Sequence, residues 1–244
     1  MKRRLTPFVL AATLALPLAA CGEDTPAATP STVTVTKTPE PQEAGPEQRQ
    51  LTEDEIMAAL PSEDEAPRGF RIDKRGFDTT TVSQRTTDPE SCLALYMSTQ
   101  EQRDFTKEHG GDSGAIRFSS RPGEPGSPGI SIAIWSFDEP FPQEFFDQAG
   151  AALAECQDHT TQISPDDSPG EWQADAIPTP TVGDQSFGVR IGRPDVDLAI
   201  DYMWVRSGHN LIHARMITGY RQSNDQRLQK YTQGIVDELK KGTS

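Results

Sequence analysis

A chain of 244 residues with 37 acidic against 23 basic side chains carries a formal net charge of −14. That balance excludes the clustered Lys and Arg with which a protein neutralises nucleic-acid phosphates. It also argues against a surface lying flat on anionic lipid, and leaves solubility as the plain role of most of the charge.

The first residues address the chain. Lys2, Arg3 and Arg4 form a basic start, and Phe8 to Leu18 form an apolar run broken by Thr13 and Pro17. A permanent membrane span needs about 20 apolar residues, so this run fits a cleaved signal peptide. Leu18-Ala19-Ala20-Cys21 follows and resembles the lipobox of bacterial lipoproteins. The resemblance implies a signal peptide over residues 1–20, a thioether-linked diacylglycerol on Cys21 and a further acyl chain such as palmitate on its amine. Two or more chains hold a protein stably on a membrane where one does not. The expected location is the extracytoplasmic face of the cell membrane; the alternative is a secreted protein with a chance cysteine near its cleavage site.

Export places thiols where they pair. With Cys21 lipidated, Cys92 and Cys156 remain, with one possible connectivity. A bridge closing that loop stabilises a fold by about 4 kcal/mol in the chain-entropy picture, less any strain. Two reduced thiols or a nucleophilic cysteine are the alternatives, and no surrounding pattern favours either.

Residues 21–50 read as the lipidated cysteine and a tether. Pro26, Pro30, Pro39, Pro41 and Pro46 are mixed with Thr, Ser and Glu, and Val33 and Val35 are the only larger apolar residues after Cys21. Such a segment buries too little surface to offset the entropy of ordering it. Stretched at about 3.1 Å per residue it would reach roughly 80–90 Å, enough to hold a domain away from a membrane.

Residues 51–244 read as one folded domain. Thr52 and Glu55 form a capping box for a short helix that Pro61 stops. Phe70 to Val82 supplies one extended segment. Asp88-Pro89 reads as an N-cap with Pro at the first helical position, opening a helix that carries Cys92, Leu93, Leu95 and Tyr96. Ala115–Ser119 and Ile130–Phe137 are strands separated by the turn-rich stretch 121–129. Pro142 opens a helix whose Phe145, Ala149, Ala152, Leu153 and Cys156 share a face, so a Cys92–Cys156 bridge would join two helices. Trp172–Ile177 and Ser186–Ile191 are further strands. Val196, Leu198, Ile200, Tyr202 and Trp204 line one face of the next strand, and Leu211–Ile217 returns after the turn Ser207-Gly208-His209-Asn210. A last helix starts near Ser223 and presents Leu228, Tyr231, Ile235 and Leu239. The sum is α+β: an antiparallel sheet with helices packed on one face and one disulfide.

This order of elements, with Val205-Arg206-Ser207-Gly208-His209-Asn210-Leu211-Ile212 in its hairpin, is similar to the extracellular sensor domain of actinobacterial PknH-type Ser/Thr kinases and the stand-alone lipoproteins related to it. The resemblance covers about Leu51 to Leu239 and rests on spacing and hydrophobic pattern. It implies an α+β domain with a ligand-binding cleft. This sequence offers one disulfide where the kinase sensors have two, and no kinase or membrane-spanning segment, so the resemblance extends to a binding module alone.

Catalytic motifs are weak. Gly111-Asp112-Ser113-Gly114 looks like the nucleophile loop of chymotrypsin-like proteases, but His109 is only four residues away and no upstream His–Asp pair exists. His209 and His213 have the spacing of a zinc pair on a helix, yet here they fall on a hairpin, where Asp195, Asp197 or Asp201 would have to complete the set. Asp166-Asp167 and Glu63-Asp64-Glu65 lie in loops with no apolar wall to raise a pKa. No catalytic residue, metal or cofactor is expected. Tyr202 and Trp204 share a strand face with Arg206, and His213 and Arg215 share a face of the returning strand. These five could line a groove with a cationic end, suited to an envelope lipid, a glycan or a small anion; otherwise the aromatics are simply core. The expected function is that of a non-enzymatic, membrane-anchored ligand-binding or sensor-like lipoprotein of the cell envelope. The alternatives are an envelope hydrolase or transferase, and a structural component that binds a protein.

Overall fold

The structure, a computed structural model, describes residues 45–124 and 126–241. The expected signal peptide, the expected lipidation site Cys21 and the expected tether as far as residue 44 lie outside the described residues. The strands are β1 Arg71–Ile72, β2 Thr86–Asp88, β3 Gly110–Ser119, β4 Gly129–Phe137, β5 Asp158–Gln162, β6 Gly170–Ala176, β7 Gln185–Arg193, β8 Leu198–Ser207 and β9 Asn210–Thr218. They form one sheet in the order β1-β3-β4-β9-β8-β7-β6-β5-β2, with every neighbouring pair antiparallel. The α-helices are α1 Glu53–Ala59, α2 Gln100–His109, α3 Glu144–Glu155 and α4 Asp225–Lys241. The α+β class and the antiparallel sheet are as the sequence reading has them.

The distribution of the helices differs from that reading, which places them on one face. On β8, Met203 and Val205 pack with Ile56 of α1 and Leu228 and Ile235 of α4. Tyr202 and Trp204, on the opposite side of the pleat, pack with Cys92, Phe145 and Cys156. β9 divides the same way, with Ile212, Ala214 and Met216 in the first cluster and Leu211 in the second. Strands apolar on both sides have to be covered on both sides, so α1 and α4 take one face and α3 with the Cys92 turn takes the other.

Three local readings also change. Asp88 ends β2, and Pro89 caps a 3-10 turn, Glu90–Tyr96, in place of an α-helix. The disulfide forms, with Cα atoms 5.6 Å apart, but it ties this turn, not a second helix, to Cys156 at the end of α3. The extended segment expected over 70–82 reduces to Arg71–Ile72. Further along, the Asp78 carboxylate accepts from the backbone N–H groups of Thr80 and Thr81, which withdraws those donors from any strand ladder.

Residues 45–50, read from composition as the end of the tether, are bonded to the β8–β9 hairpin. Ser207 Oγ donates to the Glu47 carbonyl at 2.9 Å and Asn210 Nδ2 to the Arg49 carbonyl at 3.0 Å. Asn210 Oδ1 accepts from Ser136 Oγ at 2.7 Å, and Ser136 Oγ in turn accepts from Leu51 N at 2.7 Å. Gly208, at φ +55°, allows the approach, since a Cβ there would lie 2.5 Å from Gln48 Cα.

Candidate functional site

Across the face of the sheet that carries Tyr202 and Trp204, the covering layer leaves a cavity of about 220 Å³. Its floor follows from the period-2 alternation of three adjacent strands. β4 contributes Trp135, β9 contributes Leu211, His213 and Arg215, and β8 contributes Tyr202 and Trp204. Its roof is a strap, residues 77–85, together with Tyr96 and Met97 from the 3-10 turn and Gln102, Arg103 and Thr106 from α2. The strap is fastened to the floor where Trp135 Nε1 donates to the Thr79 carbonyl at 2.9 Å and Ser113 Oγ donates to Thr79 Oγ1 at 2.9 Å.

Four of the five side chains expected to form a groove therefore meet: Tyr202, Trp204, His213 and Arg215. Arg206 does not join them. It lies on the same side of β8 but turns toward Asp184, at 3.8 Å. Groove and core prove not to be exclusive readings of the aromatics. Tyr202 and Trp204 are 4% and 6% exposed and still wall the cavity.

His213 pairs in register with Trp204 and stacks on it, with ring centroids 3.9 Å apart and planes 9° from parallel. On its other neighbours it lies 5.8 Å from Tyr202 and 5.9 Å from Trp135. Among the described residues neither ring nitrogen has a hydrogen-bond partner. Burial, and then the Arg215 charge, hold His213 well below its ordinary 6.5, so the ring is a neutral plate. Asp201, one of the three aspartates offered for a zinc set with His213, points to the opposite side of β8 and is taken by Arg190 at 2.7 Å. His209 stays in the turn, its Nδ1 at 3.1 Å from the Phe137 carbonyl. Among the described residues no group of three His, Cys, Asp or Glu side chains is placed to hold a metal. Ser113 bonds to Thr79 while His109 pairs with Asp138 at 3.0 Å, so the protease-like loop brings no base to its serine.

The cavity also gathers residues that the sequence reading leaves out. The Arg85 guanidinium lies 3.8 Å above the Tyr96 ring and that of Arg215 lies 4.4 Å above Phe77, the face-on stacking favoured by a planar cation. Arg103 Nη2 donates to the Arg85 carbonyl at 2.9 Å. Among the described residues none of these three arginines forms an ion pair, whereas nearby Arg117 has Asp73 at 3.4 Å. Asp78, the acid in the lining, is bonded to Thr80 and Thr81, and these bonds, those from Thr81 first, hold its carboxyl far below the usual range. One sequence signal does point to α2: Thr99 and Gln102 form a capping box.

Tyr96 is fixed from behind. Cys156 O can only accept, so His159 Nδ1 donates to it at 3.0 Å and Nε2 accepts from the Tyr96 hydroxyl at 2.9 Å. The hydroxyl then accepts from Thr161 Oγ1 at 3.1 Å. Burial pushes the Tyr96 phenol up to about 12. The disulfide at Cys92 and this chain of bonds together set the wall on which Arg85 rests.

No protein-family profile and no curated protein matches the chain. Among solved structures it is similar to the extracellular domain of PknH from Mycobacterium tuberculosis, with a TM-score of 0.58 and 14% identity over 80% of this chain and 99% of that one. A putative uncharacterised protein from Mycobacterium smegmatis superposes with a TM-score of 0.37 and 9% identity over 72% of this chain and 92% of that one. At 14% identity the first likeness is one of fold: the chain is built on the architecture of that extracellular domain.

Proposed function

We propose that the protein is a lipid-anchored, extracytoplasmic ligand-binding or sensor-like module of the cell envelope without catalytic activity, and that it holds its ligand between the strap and the sheet. The leader and the lipobox-like Leu18–Cys21 support export and an acyl anchor on Cys21. The fold shared with a kinase's extracellular domain supports a sensor-like rather than an enzymatic role.

The observation that carries the reading is the cavity over Trp204 and His213, walled by stacked aromatic rings and a buried imidazole without a hydrogen-bond partner among the described residues. Concave sites with apolar walls and a few converging polar groups are where proteins take small ligands. The titratable groups around it are poised for binding more than for proton transfer: Tyr96 is held as a phenol, Asp78 is tied to its own turn and, among the described residues, His213 has no carboxylate to orient it.

The test is thermal unfolding of the full-length protein in detergent against a panel of envelope lipids, glycans and small metabolites. A ligand present at 100 times its Kd adds about 2.7 kcal/mol to the native state, a rise of roughly 5–10 °C for a chain of this size. A compound that raises Tm in the wild type and not in Trp204→Ala supports the reading. Equal shifts in both proteins for every active compound would remove the cavity from the function.

A further inference from the structure

Half-burial without a counter-ion sets the arginines of the cavity apart. Acidic side chains outnumber basic ones by 37 to 23 over the chain; elsewhere among the described residues the arginines without an ion pair, Arg68, Arg71, Arg221 and Arg227, are exposed to water, whereas the half-buried Arg117, Arg190 and Arg206 each have an aspartate. Arg85, Arg103 and Arg215 line one cavity from three separate parts of the chain, and among the described residues none has a carboxylate within ion-pair distance. Each also has a buried Nε without a hydrogen-bond partner among the described residues.

Collecting like charges at a half-buried site costs free energy that an unliganded fold has no reason to bear. Burial pushes Arg215 below its ordinary 12.5; the Tyr202 hydroxyl opposes this, and the charges of Arg117 and Arg85 add to it. Arg85 and Arg215 are held by their faces, on Tyr96 and Phe77. Face-on stacking leaves the donors at the edge of a guanidinium available, and those donors fit an oxyanion in bidentate fashion.

The rest of the lining limits the shape of the ligand. Trp135, Tyr202 and Trp204 present rings to the cavity, and His213 extends the stack as a neutral plate. The volume of about 220 Å³ lies below the roughly 300–1,000 Å³ of sites that take drug-sized ligands. It suits one or two fused rings and is too small for a pair of acyl chains.

Resting on the reading of this cavity as the ligand site, we infer that its ligand is a compact organic anion: a planar apolar body carrying one acidic oxyanion group, with the acid met by Arg215 and Arg85 and the ring plane laid against Trp204 and Trp135. The apolar wall alone would bind a neutral ring equally well, and the cations alone would bind inorganic phosphate. The juxtaposition selects a molecule that has both parts.

The experiment is calorimetric titration of the full-length protein with 2-naphthoate and its neutral isostere 2-naphthamide, on the wild type, Arg215→Met, Arg85→Met and Trp204→Ala. A charge-assisted hydrogen bond contributes about 1.5–3 kcal/mol, so naphthoate is expected to bind at least about tenfold more tightly than the amide. Arg215→Met or Arg85→Met should bring the two within about threefold, while Trp204→Ala weakens both. Two arginine variants from different elements guard against the misfolding of either, with near-ultraviolet circular dichroism as the check. Should the amide bind as tightly as the acid on the wild type, with both weakened by Trp204→Ala, the anionic class is overturned and the cavity stands as a ligand site. If the acid is preferred but neither arginine variant alters the preference, the assignment to this cavity is overturned. Absence of saturable naphthoate binding at millimolar concentration also overturns the inference, and the thermal panel then decides the broader reading separately.

Discussion

His213 lies against Trp204 as a parallel plate, ring centroids 3.9 Å apart, on adjacent strands of the same sheet face. Both nitrogens of that imidazole are buried, and protonation would place a cation in an aromatic stack already bordered by Arg215. Its folded pKa is held well below 6.5, by burial first and Arg215 second. The unfolded chain therefore binds more protons than the native one once the pH falls through the unfolded value near 6.5. Stability should be complete above that pH and decline below it. His159, lowered chiefly by burial, adds in the same direction. Urea midpoints from pH 8 to 5 should fall in the acidic half, and His213→Phe should flatten part of that fall. An unaltered slope in the variant, or an NMR titration of His213 near 6.5, would refute the account.

Asp201 fastens the entry to α4. It is fully buried and accepts from Arg190 Nε at 2.7 Å, Arg190 Nη2 at 2.8 Å and Asn224 Nδ2 at 2.8 Å. Arg190 also donates to the carbonyls of Tyr220 and Gln222. Asp201→Ala leaves a largely buried guanidinium without its counter-ion, at a cost of about 3–5 kcal/mol. Chemical unfolding should show the loss, and the double variant with Arg190→Ala should recover part of it.

Removing the Cys92–Cys156 bridge releases the turn that presents Tyr96 to the cavity. Its loss should cost about 2–5 kcal/mol, or roughly 4–20 °C in Tm for a chain of this length. Scanning calorimetry with and without reductant measures this. An unchanged Tm would mean that the turn is held by packing alone.

Membrane attachment rests on Cys21 under the proposal. Cys21→Ala should move the protein from the membrane fraction to the soluble envelope fraction, because the acyl chains supply the free energy of anchoring. Retention of the variant in washed membranes would require another anchor.

The buried Asn210 joins Ser136 on β4 to the backbone of residues 46–49. Asn210→Leu leaves Ser136 Oγ and the Arg49 carbonyl without this partner, at about 1–3 kcal/mol each if no water replaces it. Limited proteolysis should then cut earlier near residues 45–52 than in the wild type; an unchanged cleavage rate would show that Gly208 and Ser207 hold the segment unaided.

Much of the sheet is legible in the sequence because alternation with period two is a local property. Ile130, Ile132 and Ile134 announce β4, and the β8–β9 hairpin follows from its turn residues. The same periodicity places Tyr202 with Trp204, and His213 with Arg215. It could not assign the helices to two faces, because a strand apolar on both sides resembles one whose large residues all face a single core. Nor could it find α2, where Phe105 is the one large apolar residue and the helix is recorded only in its cap.

The sequence by itself determined the antiparallel α+β class, the side-chain faces of the central strands and, with Cys21 read as acylated, the pairing of Cys92 with Cys156. Each of these depends on neighbours a few residues apart or on composition. Tertiary structure alone decided that Arg85, Arg103 and Arg215 share a cavity, that Arg206 does not, and that the strap from Phe77 to Arg85 covers it. Those facts depend on which distant segments cross the same face of the sheet, and close packing of the whole chain is what fixes that.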